Sequence, residues 1–495
     1  MSHKNYNANH INIIVIAVQL CTLAPTVWAQ SVFNDGGIDF GGVNSGTASA
    51  SSGQRAVSGV LQAIQDSATC SPGGDPTNSG ASVYCAMVNI ATNNLQPLVS
   101  GVSIPPLYNG LFTQQLSTQS DINAQTIAIS SPQRFTDELN RKLREREEKE
   151  NDNEQASWNS QGSYGFIKTS LGGGTDNDGY RFIGPFGMSI SGSGGFGDVE
   201  NNEGETGFDI DTYNFNAFLD YKFTDRLVSG ISFGYERADR TLLLNSGSLD
   251  SDTYRVSPFI HFSPTENVYL SLLGGYGWLD FDSIRKTSPV TQQLTDENNV
   301  LSDTVLTKSD SRADFSADQY FASLSAGYLH RTGAWTLHGY GRGDYSHSFV
   351  DGYTEKDGVI TASGSGQTGD LNLQVNGQRI LSVTSTFGME VSRAFSTNTL
   401  AAVVIPKLRA EWVHEYENGA RDISSRLLLS SDPQFNSLDT NMVLRTASPE
   451  RDWGNIGVNV QTLFPHSIVG FVDYQALIMG DGSNNVFSVG VRVDF

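Results

Sequence analysis

The chain has 495 residues, enough for more than one domain, and its 17% charged and 38% apolar residues exclude both a helical membrane bundle and a strongly charged disordered protein. Its formal net charge of −22 argues against nucleic acid as a partner, because binding phosphates requires a basic surface. The 51 glycines and 10% aromatic residues are typical of an all-β chain with many tight turns.

The N-terminus has the features of an export signal. Lys4 provides a positive start, residues 11–23 are mostly apolar, and the segment ends in small or aliphatic residues before Gln30. The apolar run is too short to cross a membrane comfortably as a helix. We therefore predict a signal peptide over residues 1–29, so that the mature chain is an exported protein.

Residues 30–130 predict a small, partly helical domain. A glycine- and serine-rich start is followed by apolar residues at helical spacing from Val57 to Ile64. Cys70 and Cys85 are the only cysteines of the mature chain, and an even count in an exported protein favours a disulfide over a metal site. Residues 30–155 contain no histidine, which excludes a Ser-His-Asp triad or a histidine-based metal site within them.

A highly charged helix is predicted to follow. Pro132 suits the first helical position and Ser131 its cap. Leu139 and Leu143 are four apart, but Lys, Arg and Glu residues fill most other positions, so we expect no apolar face for a core. Two interpretations stay open at this point: a solvated linker helix, or a helix threaded through a polar, water-filled pore.

After a glycine- and asparagine-rich joint, apolar and polar residues alternate at period two. In the last segment Phe487, Val489 and Val491 share one face, whereas Ser488 and Arg492 lie on the other, as the pleat of a strand requires. Twelve such segments occur, at 186–191, 213–223, 231–236, 253–263, 267–281, 318–331, 334–348, 379–395, 400–412, 451–464, 466–479 and 485–495.

The connections between these segments are alternately short and long. Tight turns are predicted near 224–225, 264–267, 332–333, 396–398 and 465, and long polar stretches at 197–211, 238–252, 282–317, 349–378 and 417–450. Short turns on one rim and long loops on the other are typical of bacterial outer-membrane barrels. The alternation further predicts that Lys407, Arg409 and Glu411 line the lumen.

With these features the sequence resembles the C-terminal translocator domain of autotransporters (type V secretion). The residues that carry the likeness are Phe186 to Phe196, Asn214 to Lys222 and Gly490 to Phe495. The resemblance implies a transmembrane barrel of about 12 antiparallel strands, whose terminal residues Phe495, Val493 and Val491 are recognised by the barrel-assembly machinery. It also implies a helix inside the pore, and the similar motif here is Leu139-Asn140-Arg141-Lys142-Leu143-Arg144.

We therefore expect a signal peptide (1–29), an unusually short passenger or surface domain (30–130), a linker with the polar helix (131–180) and an outer-membrane barrel (181–495). The expected function is translocation and anchoring of the N-terminal domain at the surface of a Gram-negative cell, with adhesion as a candidate role. A porin-like channel with a periplasmic N-terminal plug or cell-wall contact is the alternative. Expected partners are outer-membrane lipid, the barrel-assembly machinery, periplasmic chaperones and an unknown surface ligand.

We expect no enzymatic activity, no cofactor and no metal. Some barrel proteases place Asp and His at the outer rim, and Asp344 with His347 could be interpreted in that way. The alternation favours ordinary polar residues of the lumen and rim at both positions.

Overall fold

The computed structural model describes residues 134–136, 138–139, 141 and 185–495, apart from 202–205, 287–289, 296–300, 309, 363–367, 398–402, 429–439, 465–467 and 481. The predicted signal peptide, the domain over 30–130 with Cys70 and Cys85, and most of the linker lie outside the described residues. No helix in the described part of the chain is long and apolar enough to cross a membrane.

The described residues from 185 onward are almost entirely β-strand. The strands are β1 (Phe186–Val199), β2 (Phe208–Thr224), β3 (Leu227–Leu242), β4 (Gly247–Thr265), β5 (Val268–Arg285), β6 (Val290–Thr295), β7 (Leu301–Lys308), β8 (Ser311–Thr332), β9 (Trp335–Val350), β10 (Tyr353–Thr354), β11 (Val359–Ala362), β12 (Thr368–Asp370), β13 (Leu373–Val375), β14 (Gln378–Arg393), β15 (Phe395–Ser396), β16 (Val403–Glu415), β17 (Asp422–Leu427), β18 (Asn441–Arg445), β19 (Asp452–Phe464), β20 (Ile468–Ile478) and β21 (Gly482–Asp494).

Twelve long strands among the described residues form one closed antiparallel barrel. Their order around it is β1-β2-β3-β4-β5-β8-β9-β14-β16-β19-β20-β21, and the two-residue β15 continues β14 alongside β16. The barrel closes where β21 pairs with β1, for example Val491 with Ile190. At the end of this seam Phe495 and Phe186 exchange backbone hydrogen bonds of 2.9 and 3.2 Å. The prediction of about 12 antiparallel strands is confirmed.

The apolar face of each of the twelve barrel strands points outward. Large apolar side chains form two exposed belts around the barrel. The belt toward the long loops includes Tyr213, Tyr254, Trp278, Tyr320, Tyr345, Trp412 and Phe487. The belt toward the short turns includes Phe186, Phe223, Phe262, Tyr328, Trp335, Phe464 and Phe495. On β2 the belts are ten positions apart (213 to 223), about 25 Å for a strand tilted by about 40°, which matches the hydrocarbon band that barrels present to lipid.

The strands continue well beyond this band on the long-loop side. β8 has 22 residues, about twice the 9–11 that span a membrane. β3 and β4 are joined through a single 3-10 turn at Leu243–Asn245. The prediction of a long polar connection over 238–252 was therefore wrong, because most of these residues belong to the two strands. The physical reason is that a strand outside the lipid can be polar on both faces, which removes the alternation that marks it in the sequence.

The long loops also contain two small four-stranded sheets that sequence analysis missed. One has the order β10-β13-β17-β18 and the other β12-β11-β7-β6. The first sheet has its own apolar core, which includes Leu373, Ile423 and Leu444. Arg285, at the end of barrel strand β5, forms a buried ion pair of 2.5 Å with Glu355, which directly follows β10 of this sheet. The ion pair therefore joins the sheet to the barrel. Burial lowers the pKa of Arg285, but the facing Glu355 carboxylate raises it above the ordinary arginine value.

Candidate functional site

The lumen of the barrel contains the polar helix. Its described residues, 134–136, 138–139 and 141, are helical, and Phe135 and Leu139 are buried among wall side chains. The apolar cluster around them consists of Phe218, Phe259, Leu273 and Phe321. Phe135 meets Phe321 edge to face, with ring centroids 5.6 Å apart. The expectation that this helix has no apolar face was wrong. Phe135 lies one helical turn before Leu139, so the two side chains form a short apolar face on the same side of the helix.

Polar groups of the helix bind wall residues on different strands. Arg134 forms an ion pair with Glu236 of β3 at 2.7 Å. Thr136 donates a hydrogen bond of 3.2 Å to Asp344 of β9. Glu138 accepts hydrogen bonds from Ser191 of β1 and from Asn216 of β2, the latter at 2.5 Å.

The last described residue of the helix, Arg141, is held from two directions. Its guanidinium pairs with Asp473 of β20 at 2.5 Å and lies over the ring of Phe471, 5.5 Å from the ring centroid. The ring of Phe471 in turn lies against Gly490 of β21, where a Cβ atom would overlap it. The terminal strand therefore supports the arginine site indirectly.

Two of the six residues in the predicted pore-helix motif, Leu139 and Arg141, thus lie in the lumen. Asn140, Lys142, Leu143 and Arg144 lie outside the described residues. Phe135, Glu138 and Asp473 carry much of the contact and were missed. Phe135 could have been found by extending the helical period one turn upstream of Leu139.

The predicted lumen residues on β16 are buried inside the barrel. Lys407 lies 3.9 Å from Glu390 of β14, and Arg409 lies 3.9 Å from Glu411. Glu411 also accepts hydrogen bonds from Tyr340 and, at 2.6 Å, from Asn455. These described partners all lie on the barrel wall. The three residues of β16 therefore link β16 to β9, β14 and β19 on the lumen side of the wall.

A family model described as "Autotransporter beta-domain" matches residues 188–475, more than half of the chain. The chain belongs to this family. Among solved structures it is similar to the translocator domain of the autotransporter NalP from Neisseria meningitidis (14% identity, 75% of this chain and 99% of that chain covered, TM-score 0.47). It is also similar to the beta domain of the Bordetella autotransporter BrkA (13% identity, 63% and 100% covered, TM-score 0.40) and to the transport unit of AIDA-I from Escherichia coli (14% identity, 63% and 90% covered, TM-score 0.35). A comparison with curated proteins found no match.

Membership in the family establishes the setting of the barrel. The protein is an autotransporter whose C-terminal barrel lies in the outer membrane of a Gram-negative bacterium and translocates an N-terminal passenger. The short-turn rim then faces the periplasm and the long-loop rim faces the outside of the cell.

Hydrogen bonds of one arginine side chain cross the seam of the autotransporter barrel on its lumen side. Arg492 of β21 reaches across β1 and donates two hydrogen bonds to Asp220 of β2, at 2.8 and 3.1 Å, and a third of 2.7 Å to Asp494. It passes over Gly187 of β1, where a Cβ atom would overlap the guanidinium. On the lipid side of the same seam, Phe495 is exposed and stacks on Phe186, while Val491 and Val493 pair with Ile190 and Met188.

The candidate rim pair Asp344 and His347 does not come together. Asp344 lies in the lumen, where Arg342 binds it at 2.7 Å. His347 points outward and packs on Phe349, with ring centroids 4.2 Å apart. Residues three apart on a strand have opposite faces, so the pleat itself separates them.

Outside the lipid band, the outer wall presents a row of carboxylates. Asp211, Asp239, Asp250, Asp282 and Asp314 are direct cross-strand neighbours on β2, β3, β4, β5 and β8. Burial and the adjacent Asp239 raise the pKa of Asp250. A hydrogen bond with Asp314, then burial, raises the pKa of Asp282. Within the described residues, no three His, Cys, Asp or Glu side chains are arranged to hold a metal ion.

Proposed function

We propose that this autotransporter displays residues 30–130 at the cell surface while they remain joined to the barrel, and that the displayed domain acts by adhesive binding, without catalysis. The observation that carries this proposal is the direction of the lumen helix. Its N-terminal end contacts the wall nearer the long-loop rim than its C-terminal end does.

The direction follows from two ion pairs. Arg134 meets Glu236, nine positions after β3 leaves the short-turn rim at Leu227, whereas Arg141 meets Asp473, five positions after β20 leaves it at Ile468. Because the strands are tilted by about 40° from the barrel axis, four strand positions correspond to a height of about 10 Å along that axis. Seven helix positions rise by about 10 Å as well. The helix is therefore parallel to the barrel axis, with its N-terminal end at Arg134 toward the outside.

The same geometry disfavours a porin-like channel. A helix held by ion pairs at both ends and by an apolar cluster between them obstructs the lumen. A periplasmic plug formed by residues 30–130 would also require the helix to run in the opposite direction.

The proposed partners follow from the surfaces of the barrel. Outer-membrane lipid covers the two apolar belts. The barrel-assembly machinery is proposed to recognise the terminal strand through Phe495, Val493 and Val491, after delivery by periplasmic chaperones. A surface ligand of unknown identity is proposed for residues 30–130. The separation of Asp344 from His347 supports a non-enzymatic barrel.

Cysteine labelling on intact cells tests the display. Single cysteines replace Ser51 and Asn109 in a background that lacks Cys70 and Cys85, and a membrane-impermeant maleimide is applied to whole cells. Two exposed barrel positions serve as matched controls: Glu417→Cys on the long-loop rim and Asp225→Cys in the β2–β3 turn. We expect labelling at positions 51, 109 and 417, with position 225 labelled only after the outer membrane is permeabilised.

The proposal requires that positions 51 and 109 are labelled on intact cells, as position 417 is, and not only after permeabilisation, as position 225 is. If they follow position 225, the N-terminal domain is periplasmic and the channel interpretation replaces display. The size of the labelled band provides the second readout. Label on the full-length chain supports an attached domain, whereas label on a fragment in the medium would show release.

A further inference from the structure

The first strand of the barrel is poorly suited to define its own register with the last one. β1 has five glycines and three serines among its 14 residues, and every odd position from 187 to 197, on its lumen face, is one of these two types. On the lipid face, Met188 and Ile190 both meet valines of β21. Glycine-rich strands are prone to slip, and a slip by two residues keeps every side chain on its own face. The backbone ladder of β1 and β21 therefore fits more than one register.

Arg492 adds a contact that exists in only one of these registers. It lies on β21, reaches across β1 and donates hydrogen bonds to both carboxylate oxygens of Asp220 on β2, at 2.8 and 3.1 Å. Both side chains are less than one-tenth exposed. The contact thus sets the height of β21 relative to β2, whatever pairing β1 adopts between them. A two-residue slip would carry Arg492 about 7 Å along the strand and separate two buried charges, which is strongly unfavourable.

Gly187 of β1 makes this crossing possible. It is the direct cross-strand neighbour of Asp220 on one side and of Asp494 on the other. A Cβ atom at Gly187 would overlap the guanidinium of Arg492 and lie 2.7 Å from Oδ1 of Asp220. Asp494 accepts a further hydrogen bond of 2.7 Å from the same guanidinium. The guanidinium therefore fits between two carboxylates because the residue between them has no side chain.

Other contacts at the seam discriminate less between registers. Stacked ring pairs lie on the lipid face at both ends of the seam, Phe186 with Phe495 and Phe196 with Phe487. A ring displaced there still contacts acyl chains, so little apolar surface is exposed to water by a slip. The hydrogen bond of 2.9 Å from Ser483 to Asp198 is exposed, and such a bond is exchanged for one with water at small cost.

We propose that Arg492 is a positioning residue that, together with Asp220, selects the register in which the barrel closes. In a closed barrel the register of the closing pair contributes to the shear, and the shear is linked to strand tilt and barrel diameter. The same contact therefore controls the width of the lumen around the helix. This role belongs to the barrel and does not depend on whether residues 30–130 are displayed.

Cysteine pairs on the lipid face of the seam report the register. In a cysteine-free background of the mature chain, Ile190→Cys is combined with Val491→Cys, Val489→Cys or Val493→Cys. Ile190 is the direct neighbour of Val491, whereas the other two pairs lie on the diagonal, at about 7–8 Å, and become direct neighbours only after a slip by two residues. Each protein is assembled in the outer membrane, oxidised, unfolded by heat and separated by electrophoresis without reductant, where a cross-linked chain migrates differently.

With Arg492 in place, we expect the 190–491 cross-link almost alone. In Arg492→Gln the two slipped cross-links should increase about tenfold or more, because the slipped state no longer contains a buried, unpaired arginine. Arg492→Lys, which keeps the charge but not the two parallel hydrogen bonds, should fall between the two. Arg342→Gln is the matched control. Arg342 is a lumen arginine of the same 7% exposure that binds Asp344 at 2.7 Å on β9, away from the seam, so its loss should leave the pattern unchanged.

Heat-modifiable migration shows that each variant has folded. If Arg492→Gln does not fold, Gly187→Ala provides the second test, because its Cβ displaces the guanidinium while both charges remain. Cross-linking at 190–491 alone in the folded Arg492→Gln variant, or in Gly187→Ala where that variant has to decide, would overturn the proposal. Slipped cross-links that arise in Asp473→Asn and not in Arg492→Gln would also overturn it, since the register would then depend on the lumen helix.

Discussion

Asp473 on β20 pairs with Arg141 of the lumen helix at 2.5 Å, and both side chains are less than one-tenth exposed. The two residues are 332 positions apart in the chain (473 minus 141). Asn459 donates a further hydrogen bond of 3.2 Å to the same carboxylate. The periplasmic end of the helix is therefore fixed to a strand close to the barrel seam.

We predict that Asp473→Asn releases this end of the helix. Removing one partner of a buried ion pair typically costs about 3–5 kcal/mol, because the other charge is left unpaired. The variant should show larger ion conductance in planar bilayers than the wild type. Asp452→Asn is the control, since Asp452 is exposed and its pair with His414 contributes at most about 1 kcal/mol. Equal conductance of the wild type and Asp473→Asn would contradict the inference that the helix obstructs the lumen and is held there by Asp473.

The terminal strand gives a prediction on assembly. Val491 is midway between the belt residues Phe487 and Phe495 on the lipid face of β21, so Val491→Arg should cost about 2–4 kcal/mol and reduce insertion. Ser488→Arg, on the lumen face of the same strand, should be tolerated better. Deleting Phe495 should also reduce insertion, because it removes the hydrogen bonds with Phe186. The amount of heat-modifiable barrel in the outer membrane measures all three, and wild-type amounts of the Val491 variant would refute the orientation of the strand.

Packing of aromatic rings on glycines inside the barrel gives a third prediction. The ring of Tyr340 on β9 lies against Gly388 on β14, where a Cβ atom would overlap it. Gly388→Ala should therefore destabilise the barrel by about 1–3 kcal/mol through overpacking. Gly339→Ala, beside Tyr340 on the same strand, is the control, because a Cβ there meets no atom within 4 Å. Denaturant unfolding of both variants measures the difference, and equal stability would show that the ring moves aside at little cost.

The carboxylate row on the outer wall predicts a pH dependence. The pKa values of Asp250 and Asp282 are raised in the folded protein, so the folded state binds more protons than the unfolded chain between the ordinary value of 3.8 and the raised values. Their contribution to stability is therefore fully present below that window and is lost as the pH rises through it. The double variant Asp250→Asn, Asp282→Asn should unfold at a higher temperature than the wild type at pH 7, and the difference should shrink as the pH is lowered through the window. A difference that does not change with pH would exclude the two carboxyl groups as its source.

Local patterns in the sequence were enough to predict the class of the protein and the approximate positions of its twelve barrel strands. Alternation at period two is a local consequence of the pleat, so the terminal strand, the twelve barrel segments and the inward direction of Lys407 and Glu411 could be read without tertiary structure. The same local rule shows that Asp344 and His347 face opposite ways. The likeness of the terminal residues Gly490 to Phe495 to a known family pointed to the outer membrane.

The tertiary structure alone decided which inward residues meet. The contacts of Arg141 with Asp473, of Arg492 with Asp220 and of Tyr340 with Gly388 depend on how the closed barrel sets the relative heights of its strands, and no local pattern encodes that stagger. The small sheets of the long loops escaped detection mainly because five of their eight strands have five residues or fewer, which is too short for a repeat to stand out.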